Sequence, residues 1–288
     1  KFGEKMSLVD FKEFLSYKKE IDTEIKMLSS SEIRLKLLVE LLKGPLNMKK
    51  INEITLLSYS SISNNVHKLI DFGYIKKKDT EFYITNKGII QLMNVLDFNE
   101  SILTINEFSD FWHNHNVKPL CMEELREIPV LEGAKIVESV SVDIYKTHNE
   151  LKRLLQNSKS LKLIFPYLHP EYPKLIRDLL GDGAKLEILL PLDILDNFVR
   201  GIGLNTVREG ILRGNLSIKY LTENVQIALC LADDFVSIGL YRNDGSYDHN
   251  RLLVSENSQT IAWGGKIFGH YSRQASRFNL KSLEREIA

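Results

Sequence analysis

The stretch Ser58–Lys87 (SYSSISNNVHKLIDFGYIKKKDTEFYITNK) leaves the chain the least conformational choice. A serine able to cap a helix, Ser58, precedes apolar residues at Ile62, Val66, Leu69 and Ile70, which recur at helical spacing so that one face packs inward. The opposite face carries Tyr59, Ser60, Ser63, Asn64, His67 and Lys68, all able to hydrogen-bond and none acidic. Gly73 stands where the residue just past a helix end is expected. Two strand-like runs follow, 74–77 and 82–84, joined by a tight turn at Asp79 and Thr80. This order predicts a reading helix followed by a basic β-hairpin wing. A helix fits the major groove of duplex DNA, where amide and hydroxyl side chains distinguish base edges. Lys76, Lys77 and Lys78 on the hairpin would neutralise phosphates, giving affinity without sequence information. The plainer alternative is an amphipathic helix with a solvated polar face, and the flanking elements decide between them.

Upstream, residues 8–27 predict an amphipathic helix with Leu8, Phe11, Leu15, Ile21 and Ile25 as apolar positions, facing a partner or packing on itself. Ser29 with Glu32 three residues on reads as a capping box. It opens a helix with Ile33, Leu37, Leu38, Leu41 and Leu42 inward, stopped by Gly44-Pro45. A short helix over 47–57 would bury Met48, Ile51 and Ile54. Three helices and a hairpin at these short spacings make a winged helix-turn-helix. Thr85 is placed to cap a long helix through Ile89, Leu92, Met93, Leu96 and Leu103 towards Phe108. It holds more apolar residues than one face against a small domain requires, so the surplus faces either a two-fold mate or the rest of the chain.

Charge narrows the function classes. The 288 residues carry 38 Lys/Arg and 38 Asp/Glu, a net charge of zero. Residues 25–95 hold eleven Lys/Arg against six Asp/Glu, a balance of +5, and the remainder carries −5. A basic head on a mildly acidic body suits a nucleic-acid-binding regulator. Cys121 and Cys230 are far apart with no paired-ligand spacing, so neither a disulfide framework nor a metal site is expected, and no cofactor motif is present. No apolar run approaches the ~20 residues of a bilayer span. The opening KFGEKM is no signal peptide, and the residues before Met6 are expected to be foreign to the natural start. A cytoplasmic location without membrane attachment is the expectation.

Residues 109–118 (SDFWHNHNVK) mark a change of organisation. His113 and His115 would share one side of a strand but not of a helix, and Phe111-Trp112 reads as an aromatic anchor. From about 117 strands and helices alternate. Strands are predicted over 161–166, 185–191, 216–222, 225–232, 235–241 and 252–255, and helices over 145–157, 171–181, 193–213 and 258–276. Gly181 and Gly183 follow a helix and precede a strand, the reverse of a phosphate-cradling loop, and Gly201 and Gly203 fall inside a helical stretch. His169 follows a strand at its C-terminal end, the edge that ligands of α/β sheets favour. With Tyr172 it would line an effector pocket, or else it caps a turn fixed by Pro170 and Pro173. Trp263 is read as core or as a wall of that pocket. Turn chemistry after Asp244-Gly245 accounts for Tyr247 and Asp248.

Two resemblances add to this reading. Residues 30–90 resemble the winged-helix domains of ArsR-type repressors, through Leu37-Leu38 to Gly44-Pro45, residues 58–63, residues 69–75 and residues 83–88. That resemblance implies duplex-DNA binding as a dimer. The paired-cysteine metal ligands of its metal-sensing members are absent. The second half resembles the sensor domain of the archaeal methanogenesis-regulatory family of winged-helix proteins. The matching residues are Phe111-Trp112 with His115, residues 169–173, residues 237–240, residues 245–248, and Trp263-Gly264 followed by Phe268 and Tyr271. The strand pattern is also similar to half of a phospholipase D-type α/β fold. The catalytic His and Lys of that fold would fall on Gln226 and Ala228, or on Ile227 and Leu229, so neither nucleophile nor cation is present.

The expectation is therefore an α+β multidomain protein: a winged helix-turn-helix, a helical linker and a C-terminal α/β domain resembling a degenerate phospholipase D-like half. Its parts are an N-terminal amphipathic helix (1–28), the winged helix (29–88), a linker or dimerisation helix (89–116) and an effector-sensing α/β domain (117–288). The function expected is a homodimeric DNA-binding transcriptional regulator and no enzyme, with Ser58, Tyr59, Ser60, Ser63, Asn64, His67, Lys68 and Lys76–Lys78 on double-stranded DNA. His169, Tyr172 and Trp263 are expected on a small-molecule effector. A phosphodiesterase-like hydrolase with a DNA-targeting head, or a protein-interaction module, are the rival readings.

Overall fold

Apolar periodicity near 3.6 residues in the first hundred positions gives way to period-two and continuous apolar runs beyond, and the backbone divides accordingly. The computed structural model describes residues 8–156 and 158–279. These form two compact units, the first ending at Leu103 and the second starting at Thr104.

The first unit contains α1 (Leu8–Ser29), α2 (Glu32–Lys43), β1 (Leu46–Asn47), α3 (Met48–Thr55), α4 (Tyr59–Asp71), β2 (Ile75–Lys78) and β3 (Glu81–Ile84). It ends in α5 (Asn86–Glu107), whose last residues cluster with the second unit. The three strands pair antiparallel in the order β1-β3-β2. Met27, Leu28, Leu37, Leu38, Leu41, Ile51, Ile62, Val66 and Leu69 form its core with Tyr74, Ile75, Phe82 and Leu92. Ser31, not Ser29, caps α2 by accepting the Arg34 N–H, since Ser29 is still inside α1. Leu42 and Ile54, expected inside, are 43% and 42% exposed. Each lies one position off the face that its helix turns to the core. The side chains of Leu8 and Phe11 lie outside the described residues. Thr85 does cap α5, its Oγ1 accepting the Gly88 N–H at 3.1 Å. Gly88 is required there, because a Cβ would overlap the Tyr74 carbonyl.

The second unit begins with α6 (Ser109–Asn114), α7 (Met122–Arg126), a 3₁₀ turn (Ile128–Leu131) and β4 (Lys135–Glu138). It continues through α8 (Lys146–Gln156), β5 (Ser160–Ile164), α9 (Tyr172–Gly181), β6 (Lys185–Pro191), α10 (Leu192–Ile202), α11 (Leu204–Arg213) and β7 (Leu216–Leu221). Then come β8 (Ile227–Leu231), β9 (Val236–Leu240), β10 (Arg251–Ser255), α12 (Ser258–Gln274) and β11 (Ser276–Arg277). One sheet has the order β11-β7-β6-β5-β8-β9-β10-β4, with β5, β6 and β7 parallel and the remaining pairs antiparallel.

Successive strand residues point to opposite faces, and here both faces are covered, so the strands are apolar throughout. Leu161, Leu163, Leu186, Ile188 and Cys230 pack under α8–α11. Ile164, Leu189, Leu229, Ile238 and Leu253 pack with Phe111, Trp263 and Ile267 on the other side. The helix expected over 193–213 is two helices, broken at Gly203, whose φ of +102° ends α10. The pair His113 and His115 lies at the end of α6 rather than on a strand. No described helix is long and apolar enough to cross a membrane.

Candidate functional site

The polar face of α4 is held out by the burial of the other. Ile62, Val66 and Leu69 are at most 2% exposed. At the front, Ser58 is extended (φ −61°, ψ 148°) and its hydroxyl accepts the Ser61 N–H at 3.2 Å. At the back, Gly73 takes φ +73°. Its N–H donates to the Ile70 carbonyl at 2.8 Å, and the Tyr74 N–H donates to that of Leu69 at 2.9 Å, closing the helix. Ser58, Tyr59, Ser60, Asn64, His67 and Lys68 are exposed, and Ser63 is half-buried. His67 Nδ1 lies 2.6 Å from the Ser63 carbonyl and must donate to it, leaving Nε2 as the outward atom. Among the described residues nothing holds the Asn64 amide.

The wing turns through Asp79 at φ +55°, pairing Lys78 with Glu81. Lys76, Lys77 and Lys78 are all exposed, and none is ion-paired among the described residues. The pleat sends Lys76 and Lys78 to one side and Lys77 to the other, where its Nζ stands 6.0 Å from the Phe82 ring centre. The three lysines therefore do not share one face. By contrast, Lys87 pairs with Glu24 at 3.1 Å.

One component of this surface escaped the sequence reading. Arg34 is buried, donating through Nε to the Met27 carbonyl, through Nη1 to Asn65 Oδ1 (3.3 Å) and through Nη2 to Ser30 Oγ (3.2 Å). Burial lowers the guanidinium below its usual range. Arg34 thus ties α1 and α2 to the inner side of α4. Its helical phase, shared with Leu37, Leu38 and Leu41, was the signal for it.

In the second unit the loop after β5 and the segment before β10 enclose a cavity of about 330 Å³. Six rings line it. Tyr167 and Tyr247 have centres 4.7 Å apart, and His249 meets them edge-on at 5.0 and 4.9 Å. His148 stacks on His169 at 4.7 Å, and Tyr172 closes the series 5.2 Å from His169. The Tyr167 and Tyr172 hydroxyls are 3.2 Å apart. Desolvation raises Tyr167, Tyr172 and Tyr247 and lowers His169 and His249, so these five rings favour their neutral forms, while Glu171, Asp248 and Arg251 bring charge to the cavity's edge. The Glu171 carboxyl at the rim is lowered by the hydrogen bond from His148.

His169 and Tyr172 do come together here, and His169 Nδ1 also accepts the Glu171 N–H at 3.2 Å, so it fixes the turn as well. Trp263 does not join them. It is 2% exposed among the residues on the opposite side of the sheet, with Nε1 donating to the Glu124 carbonyl at 2.9 Å. Tyr247 and Asp248 are more than turn residues. Tyr247 lies over Gly239, where a Cβ would overlap its hydroxyl. Asp248, 2% exposed, accepts from His115 Nε2 (3.0 Å), Arg242 Nη2 (2.8 Å) and the Asn250 N–H (3.0 Å). Burial alone would raise its carboxyl, but these donors more than offset that and hold it below the usual range. Asp233 and Asp234, the nearest carboxylates to a phospholipase D register, stand exposed between β8 and β9.

Comparison with known proteins fits this two-part geometry. A model of the N-terminal domain of methanogenesis regulatory protein FilR1 matches residues 22–103, and one of its middle domain matches residues 144–274. The chain is similar to FilR1 in both of these domains. FilR1 is described as a methanogenesis regulatory protein. A curated relative, methanogenesis regulatory protein FilR1 of Methanothrix harundinacea (strain 6Ac), is 24% identical over 270 residues, which cover 91% of this chain and 59% of the relative. The chain thus spans less than two thirds of that FilR1 protein. Among solved structures, TrmBL2, described as an archaeal chromatin protein with a novel mode of DNA binding, is 16% identical with a TM-score of 0.41. The match covers 84% of this chain and 91% of that one.

Proposed function

We propose that this chain is a DNA-binding transcriptional regulator that acts as a dimer and whose α/β unit takes a small-molecule effector. The observation that carries the reading is the uncovered face of α4, non-acidic and set beside three unpaired lysines. Asn64 and His67 Nε2 read base edges, while Lys68 and the wing lysines meet phosphates. Exposed apolar residues on α5, with Ile90 62%, Phe98 59% and Leu103 68% exposed, fit a second copy of the chain. Two copies match the paired half-sites that such readers use. The aromatic cavity suits a small ligand with a flat or C–H-rich face. It regulates only if the ligand binds two arrangements of the dimer unequally.

The test is the salt dependence of duplex-DNA binding by the chain and by K76A/K77A/K78A. The slope of log affinity against log salt should fall by about 2–3, with affinity lost alike on all sequences. An unchanged slope would remove the wing from the interface.

A further inference from the structure

On the side of the sheet away from the aromatic cavity, α7 and α12 bring a thiol, a carboxylate and an imidazole together. Cys121 immediately precedes α7, Glu124 lies in its first turn and His270 is on α12. Their ligand atoms lie within 4.8 Å of one another. We propose that Cys121, Glu124 and His270 bind a late divalent transition-metal ion of the zinc type, at a site independent of the DNA-reading face and of the aromatic cavity.

The donor set selects the metal class. A thiolate and an imidazole with one carboxylate suit borderline ions such as zinc or cobalt, whereas magnesium and calcium demand oxygen alone. Bonds of about 2.0–2.3 Å around a tetrahedral ion place neighbouring donors roughly 3.3–3.7 Å apart, so the cluster has about 1 Å to close. The thiol and the imidazole are only half-buried and can rotate to close it. Glu124 is the fixed member. It is 4% exposed, and its Oε2 accepts the Cys121 N–H at 2.7 Å as a helix cap. Its Oε1 faces His270 Nδ1 at 3.5 Å, too long for a good hydrogen bond. Capping therefore accounts for one oxygen of this buried carboxylate and leaves the other short of a partner, and buried carboxylates are held by close cations or donors.

The backbones that carry the three donors are joined without any ion. Trp263 Nε1 donates to the Glu124 carbonyl at 2.9 Å, the Tyr271 hydroxyl to the Pro119 carbonyl at 2.9 Å, and Lys266 pairs with Glu127 at 2.6 Å. The donors are thus positioned before a metal arrives, which limits the ordering cost of binding. A cavity of about 270 Å³, lined in part by Pro119, His270 and Tyr271, opens beside the imidazole and gives an ion and a fourth, solvent ligand a way in.

The experiment uses the full chain, reduced and freed of metal with a chelator, titrated with cobalt(II). Binding of one equivalent should produce a thiolate-to-cobalt charge-transfer band and the intense visible bands of tetrahedral coordination, both abolished by zinc. C121S should lose the charge-transfer band. H270Q should weaken cobalt binding at least ten-fold, while H113Q, which alters an exposed histidine outside the cluster, should bind as the parent does. Zinc should raise the unfolding temperature of the parent and not of C121S, and circular dichroism of the metal-free variants establishes that they fold. A parent titration without the thiolate band, or C121S and H270Q binding cobalt as tightly as the parent, would overturn the site.

Discussion

Asn64 and Asp248 show how differently the two units use their polar residues. On α4 the Asn64 amide is exposed and held by nothing among the described residues, and the wing lysines beside it lack acidic partners. In the α/β unit, Asp248 is buried and satisfies His115, Arg242 and the Asn250 N–H at once. A surface that reads another molecule keeps its donors and acceptors free, since a group bound inside the chain has to be released before it binds outside. A cavity has the reverse need, because a polar group taken out of water has to be paired before any ligand arrives. Polar residues therefore do opposite work in the two units: substitution of Asn64 on the exposed face of α4 should change recognition without changing stability, and substitution of Asp248 should do the converse.

The sharpest way to break that contrast is to remove one residue from each side. Asp248→Ala leaves buried His115 without its carboxylate and should destabilise the second unit by about 3–5 kcal/mol. The chain has two tryptophans, Trp112 and Trp263, both in that unit, so the urea midpoint by tryptophan fluorescence reads it directly. Asn64→Ala should leave stability within about 0.5 kcal/mol while changing discrimination between DNA sites by about 1–3 kcal/mol. If Asn64→Ala destabilised the first unit by circular dichroism, or Asp248→Ala left the midpoint in place, the contrast would collapse.

A smaller effect sharpens it. Gly239→Ala introduces a methyl group where the Tyr247 hydroxyl sits, an overpacking expected to cost about 1–3 kcal/mol and to push that ring into the cavity. Any ligand found to bind there should lose affinity, with DNA binding by the ligand-free chain unchanged. On the reading side, Ser58→Ala removes the cap from α4 and should cost about 1 kcal/mol, weakening DNA binding through fraying of the first turn.

What the sequence disclosed follows the same division. The elements of α4 and the wing are specified within a few residues: Ser58 caps the next turn, Gly73 ends the helix, and Asp79 turns the hairpin. Short-range signals of this kind are readable without a fold. The Arg34–Asn65 contact crosses 31 residues and is formed only when the helices pack. In the α/β unit the contacts that bring its separate segments together are of that second kind. His115 meets Asp248 across 133 residues, and Trp263 meets Glu124 across 139. The strands themselves were legible as apolar runs. Because both faces of the sheet are buried, though, no alternation showed which side each residue faces, and Trp263 was grouped with His169 across the sheet. Gly203 was likewise placed inside one helical stretch, whereas its positive φ divides α10 from α11.

The smallest expected effect tests whether the cavity wall is as dry as the contrast requires. Burial lowers His169, reinforced by the charge of stacked His148 and only partly opposed by Glu171. It lowers the more exposed His249 too, against the pull of Asp248. A histidine lowered in the folded chain binds fewer protons there than when unfolded, so stability rises with pH through this range. That contribution is complete above the unfolded histidine value near 6.5 and is lost as pH falls towards the folded values. The lowered carboxyl of Asp248 acts in the same direction but in a separate window, below about pH 4, where its unfolded form takes up a proton. The urea midpoint read from the tryptophans should therefore decline between pH 7 and pH 5, and H169Q/H249Q should flatten the decline while keeping the loss below pH 4. A flat profile in the parent would mean that water reaches these rings freely, and the second unit would then present its polar groups much as α4 does.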